Sequence, residues 1–82
     1  MEQYNLPQEG VRIPPNHPES EKSVLGAMIR SREAALLAIE TLSPDDFYDP
    51  ANREVYSAMF DMASASRTID LVTLDEELSR RG

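Results

Sequence analysis

The chain has no cysteine and no tryptophan, a single lysine (Lys22), a single histidine (His17) and three glycines among its 82 residues. Each shortage closes off a class of chemistry. Without cysteine there is no disulfide, no thiolate metal site and no cysteine nucleophile. His17 stands alone beside prolines. A metal site needs several converging ligands and a serine triad needs a histidine beside its serine, so His17 reads as a solvated loop residue. The glycines, Gly10, Gly26 and Gly82, lie far apart, and Lys22 follows no glycine loop. A phosphate-binding P-loop needs clustered backbone N–H groups, a lysine and a magnesium-binding Ser or Thr. This sequence cannot build one. Long apolar runs are missing too, since no stretch approaches the ~20 residues of a membrane span. The opening Met1-Glu2-Gln3-Tyr4-Asn5-Leu6-Pro7 has neither the basic nor the apolar region of a signal peptide, and a cytoplasmic location is expected.

What is present is acid and helix. The formal charge is −7. Residues 43–66 carry Asp45, Asp46, Asp49, Glu54 and Asp61 against Arg53 alone. Phosphate backbones are held by clusters of lysine and arginine, so direct binding of nucleic acid is not expected, and a basic protein surface is the better partner. The length allows one small domain, which buries only ~60–65 % of its unfolded surface and has thin stability.

Residues 1–17 read as a flexible arm punctuated by Pro7, Gly10, Pro14 and Pro15, with Val11 and Ile13 able to dock on a core. Pro18 suits the first position of a helix, and Glu19 and Glu21 sit where the helix dipole favours negative charge. Val24, Leu25, Met28 and Ile29 then form one apolar stripe, interrupted by Gly26, whose expected use is to admit a neighbouring helix. Ser31 caps a second helix over 32–42, apolar on more than one side through Leu36, Leu37, Ile39 and Leu42. Ser43-Pro44-Asp45-Asp46 predicts one short turn of helix, pinned to the core by Phe47 and Tyr48. Asp49-Pro50 starts a third helix over 50–65. Its buried face carries Asn52, Val55, Tyr56, Met59, Phe60 and Ala63, with Met62 just off it. Thr73 and Glu76 have capping-box spacing and predict a fourth helix over 74–81, with Leu71, Leu74 and Leu78 apolar and Arg80 and Arg81 in the last turn. The expected fold is an all-α bundle of four main helices plus one short turn. Its core is Val24, Leu25, Met28, Ile29, Leu36, Ile39, Phe47, Val55, Tyr56, Met59, Phe60, Leu71, Leu74 and Leu78.

Two acidic groups invite a catalytic reading. Asp45-Asp46 has no general base, nucleophile or shaped loop beside it, and hard cations need more oxygen ligands, so it reads as helix-start acid. Asp75-Glu76-Glu77 reads the same way, as first-turn acid plus a capping box. The stripe of Met28, Tyr56, Met59, Phe60 and Met62 could receive a partner helix, but one apolar face on a helix is ordinarily core.

The run Arg12-Ile13-Pro14-Pro15, then Glu19-x-Glu21-x-x-Val24-Leu25-Gly26, Asp45-Asp46-Phe47-Tyr48, Arg53-x-Val55-Tyr56-x-Ala58-Met59, Ile69-Asp70-Leu71-Val72-Thr73-Leu74 and Glu77-Leu78 resembles the N-terminal domain of bacterial DnaB-type replicative DNA helicases. The pieces follow in order over roughly residues 12–82. The resemblance implies a helical collar domain on a hexameric ring. It also implies docking of the primase C-terminal domain in the primosome and, in some bacteria, contact with a helicase loader. It places ATP, magnesium and duplex unwinding in a separate C-terminal domain of the parent protein, so no cofactor, metal or catalytic residue is expected here. Glu19 and Glu21 occupy the family's acidic opening of the first helix and are the expected partner contacts. The family pattern continues past the fourth helix into a Gly-Gly turn and a subunit-pairing hairpin. This chain is therefore expected to be a truncated domain over 18–82, with uncovered apolar surface that drives self-association. The alternative is a stand-alone helix-turn-helix protein that binds DNA through residues 74–81, where Asp75, Glu76 and Glu77 would repel phosphate.

Overall fold

The computed structural model describes residues 17–82. The arm expected over 1–17 and the docking of Val11 and Ile13 lie, apart from His17, outside the described residues. Four α-helices and one 3-10 turn follow in order: α1 (Pro18–Arg30), α2 (Arg32–Thr41), the turn Pro44–Asp46, α3 (Pro50–Ser64) and α4 (Leu71–Arg81). The fold is all-α, and α1 packs against both α2 and α3.

Local chemistry explains the starts. Pro18 and Pro50 both stand at first-turn positions of their helices, where a missing N–H costs nothing. Ser31 Oγ accepts from the Ala34 N–H at 3.1 Å, and Asp49 Oδ1 from the Ala51 N–H at 2.8 Å. The Ser43 N–H donates to Asp46 Oδ2 at 2.8 Å and closes the 3-10 turn. His17 does more than the loop role expected of it. It is the N-cap of α1, and its Nδ1 lies 2.7 Å from Ser20 Oγ. At α4 the box is shifted by one turn from the expected Thr73–Glu76. Asp70 is the cap, its Oδ1 accepting from the Thr73 N–H at 2.9 Å while Thr73 Oγ1 accepts from the Asp70 N–H at 3.0 Å. The helix therefore begins at Leu71, not Leu74.

The end of α3 is a Schellman closure. Arg67 N–H reaches the Met62 carbonyl at 2.8 Å and Ser66 N–H the Ala63 carbonyl at 3.0 Å. Ser66 takes φ 59°, the left-handed conformation that glycine adopts with less strain.

The core contains Val24, Leu25 and Met28 of α1, Ala35 and Ala38 of α2, Leu42, Phe47, Tyr56, Met59 and Met62, and Leu74 of α4. Ile29, Ile39, Val55, Phe60 and Leu78 pack half-buried against it. Phe47 stacks on Tyr56 with ring centroids 4.6 Å apart. The Tyr56 hydroxyl donates towards the Leu42 carbonyl at 2.8 Å. Burial, and next the charge of Asp46, push its pKa up to about 12.

Five expectations are corrected. Leu36, expected in the core, is 48 % exposed, because α2 turns its small residues Ala35 and Ala38 inward. Leu71 is 69 % exposed, because the shifted cap places it at the first position of α4, at the outer end of the helix. Tyr48 is exposed while Phe47 alone fills the core, and Met62 is fully buried rather than off the face. Gly26 admits no neighbouring helix. A Cβ there would meet the flexible end of Arg30, at 3.1 Å from Nη1.

Candidate functional site

Glu19 and Glu21 begin one helical turn, yet they face different environments. Glu19 is exposed, with a carboxylate oxygen 3.9 Å from Lys22 Nζ. Glu21 is fully buried. Its Oε2 accepts from the Tyr48 N–H at 2.6 Å, and its Oε1 from the Asp49 N–H at 3.2 Å and Asn52 Nδ2 at 3.0 Å. Burial pushes the carboxyl pKa up; the bonds from Asn52, Tyr48 and Asp49 outweigh it, and the net shift is downward. Glu21 is thus a tie between α1 and the start of α3. Buried in this way, Glu21 is not available as the partner contact expected of it, and Glu19 is the exposed carboxylate of the pair.

Asp45 and Asp46 are both exposed, and Asp46 serves the 3-10 turn. Met28, Tyr56, Met59 and Met62 are buried in the chain's own core. No three His, Cys, Asp or Glu side chains converge to hold a metal among the described residues. Lys22 projects from α1 and pairs with Glu19, with no loop around it for phosphate. The donor set here does not fit ATP or its magnesium. No described helix is long and apolar enough to cross a membrane.

The pattern reading missed an ion-pair hub on α4. Glu77, expected as a first-turn acid, lies in mid-helix and is buried. It accepts from Arg67 Nη1 at 2.7 Å, from Arg80, and from Arg81 Nη1 at 3.4 Å. The bond from Arg67, followed by that from Arg80, holds its pKa down to about 2. Arg81 also reaches Asp61 at 2.9 Å and Glu54 at 3.2 Å on α3. These pairs, first that with Asp61 and then that with Glu54, raise the Arg81 pKa. The i, i+3 and i, i+4 spacing of Glu77 to Arg80 and Arg81 was the available signal. Arg67 comes from the α3–α4 link, and no local rule would have found it.

A groove of about 380 Å³ lies between α2 and that link. Met28, Ala35, Leu36 and Ile69 line it with apolar surface, and Arg32 and Arg67 add two guanidinium groups. None of its described lining residues is acidic.

Residues 13–82 match the family model described as DnaB-like helicase N terminal domain. The chain is 40 % identical over 79 residues to the replicative DNA helicase DnaB of Rhodothermus marinus, covering 96 % of this chain and 8 % of that protein. It is 41 % identical over 68 residues to the replicative DNA helicase DnaC of Bacillus subtilis, 83 % of this chain and 15 % of that one. It is 42 % identical over 71 residues to the replicative DNA helicase DnaB of Mycobacterium leprae, 87 % of this chain and 12 % of that one. The chain thus spans only a small part, 8 to 15 %, of these curated relatives. No solved structure matches it significantly.

Proposed function

The chain belongs to the family of DnaB-like helicase N-terminal domains, and from that premise we propose that it is a non-catalytic collar and protein-interaction domain of a bacterial replicative helicase. In this reading it supports ring assembly and recruits the primase C-terminal domain. ATP, magnesium and duplex unwinding belong to another domain of the parent. The family match over residues 13–82 carries the proposal. The acidic surface supports it, since a chain of charge −7 with one lysine steers basic protein surfaces and repels phosphate.

Glu19 is the contact we assign to primase. It is exposed at the start of α1, and among the described residues its carboxylate pairs with Lys22. Titration calorimetry with the cognate primase C-terminal domain is expected to show binding that weakens with salt. Glu19→Lys should weaken it several-fold while circular dichroism still shows the folded helical domain, its melt lowered only slightly by a cation in the first turn of α1. Absence of heat with the intact domain, or an unchanged affinity for the variant, overturns the recruitment and the Glu19 assignment respectively. Retention of duplex DNA on a filter at low salt would favour the helix-turn-helix alternative instead.

Self-association is the other half of the collar role. Leu71 and Val72 are 69 % and 68 % exposed, side by side at the start of α4. They supply an apolar surface for a second copy. Sedimentation equilibrium should show association that Leu71→Ser with Val72→Ser reduces; a monomer at millimolar concentration contradicts this part.

A further inference from the structure

We infer that the groove between α2 and the α3–α4 link is a docking site for an acidic amphipathic peptide segment, one that presents carboxylates beside large apolar side chains. The partner surface proposed for primase is basic and meets the other end of α1. Glu19 and Met28 are nine residues apart on that helix, or ~13.5 Å along its axis. The two surfaces are opposite in charge and so call for different partners, and this inference does not rest on primase recruitment.

Charge complementarity carries the inference. The chain has a formal charge of −7, yet this groove has two arginines and no described acid in its lining. Arg32 occupies the first position of α2, where the helix dipole opposes a cation. It makes no ion pair among the described residues. Its charge helps neither the helix nor an internal partner. Arg67 is pre-oriented. The Schellman closure fixes its backbone, and Glu77 takes one of its guanidinium hydrogen bonds and leaves other donors open. The charge of Glu77 is shared with Arg80 and Arg81, so it does not cancel Arg67 alone.

The apolar floor supplies the second half of the match. Leu36 stays 48 % exposed beside Met28, Ala35 and Ile69. At about 380 Å³ the groove is at the small end of ligand-sized sites, ~300–1,000 Å³, and suits side chains of a segment better than a large cofactor. An amphipathic helix laid in such a groove uses an apolar stripe for burial and its flanking charges for orientation.

The test titrates the isotopically labelled chain with two short helical peptides and follows backbone amides by NMR. Both peptides carry the same leucine stripe; one has glutamate at every flanking position, the other lysine. The overall charge of the chain favours the lysine peptide, so only a local cationic site reverses that order. The expected result is a glutamate peptide bound on the order of fivefold more tightly. Its shifts should centre on Ala35, Leu36, Ser66, Thr68 and Ile69, and added salt should diminish them. Arg32→Glu, at an exposed position, should remove the preference without lowering the melting temperature, whereas Leu36→Ser, at a half-exposed position, should weaken both peptides alike. Equal or tighter binding of the lysine peptide, shifts centred elsewhere, or no shifts at millimolar glutamate peptide overturns the inference.

Discussion

Replacing Glu21 by glutamine keeps the side-chain volume but puts an NH2 group where a carboxylate oxygen accepts. Three donors converge on that carboxylate, from Tyr48, Asp49 and Asn52. One of them must then go unpaired in a buried site, at a cost of ~1–3 kcal/mol. Glu21→Gln is expected to lower the free energy of urea unfolding by that much, while Glu19→Gln leaves it nearly unchanged. Two other single residues should act in the opposite direction. Gly26 lies inside α1 without a packing need for its missing Cβ, and the Arg30 end that it would meet can move. Gly26→Ala should stabilise by about 1 kcal/mol. Ser66 holds φ 59° at the closure of α3. Ser66→Gly relieves that conformation and should raise the melting temperature by ~4–8 °C, the shift that about 1 kcal/mol gives a domain of this size. Differential scanning calorimetry checks both, and a fall in either variant refutes its assignment.

The helices differ in what holds them. α1, α2 and α3 share the core, whereas α4 contributes Leu74 and part of Leu78 and is otherwise fastened by charge. Arg81 bridges to Glu54 and Asp61, and Glu77 to Arg67. Native-state hydrogen exchange should find α4 opening before α3, more so in high salt, since exposed pairs are screened. Acid should act at the same place. The folded pKa of Glu77 is about 2, below the ordinary 4.5. Its contribution is complete above 4.5 and is lost as pH falls from there towards 2. Glu21, also shifted downward, adds a loss of the same sign. Glu77→Gln should flatten the acid limb of the stability profile; an unchanged limb argues against the hub.

The same difference decides what was legible. Proline and Ser or Asp caps are local, so the starts of α1, α2 and α3 could be read from the sequence. At α4 two overlapping boxes, Asp70–Thr73 and Thr73–Glu76, offered rival starts of equal local quality, and the reciprocal bonds between Asp70 and Thr73 select the first. α2 is apolar around most of its circumference, and periodicity could not say that Ala35 rather than Leu36 turns inward. Glu21 and Glu77 escaped for one reason. A carboxylate in a first turn looks alike whether water or a distant N–H satisfies it, and the donors to Glu21 lie 27 to 31 residues away.

At the scale of the whole molecule, charge and apolar surface are segregated. Acid dominates residues 43–66, Leu71 and Val72 face outward, and the α2 groove is cationic. The three surfaces differ in character, and the partners proposed for them are expected to bind independently. Combining Glu19→Lys with Arg32→Glu should therefore give additive losses of binding to their separate ligands, with no coupling beyond ~0.5 kcal/mol. Larger coupling would mean that the surfaces share a partner.

The Glu21 tie also bears on the order of events as the chain folds. Its donors belong to the 3-10 turn's exit and the first turn of α3, so the α1–α2 hairpin and that junction must both be in place before the carboxylate can leave water. A charge stripped of solvent before its donors arrive is strongly disfavoured. The bond therefore forms on the native side of the folding barrier. In a chevron experiment Glu21→Gln should leave the refolding rate nearly untouched and accelerate unfolding, so that this buried carboxylate governs how long the folded state lasts rather than how quickly it is reached.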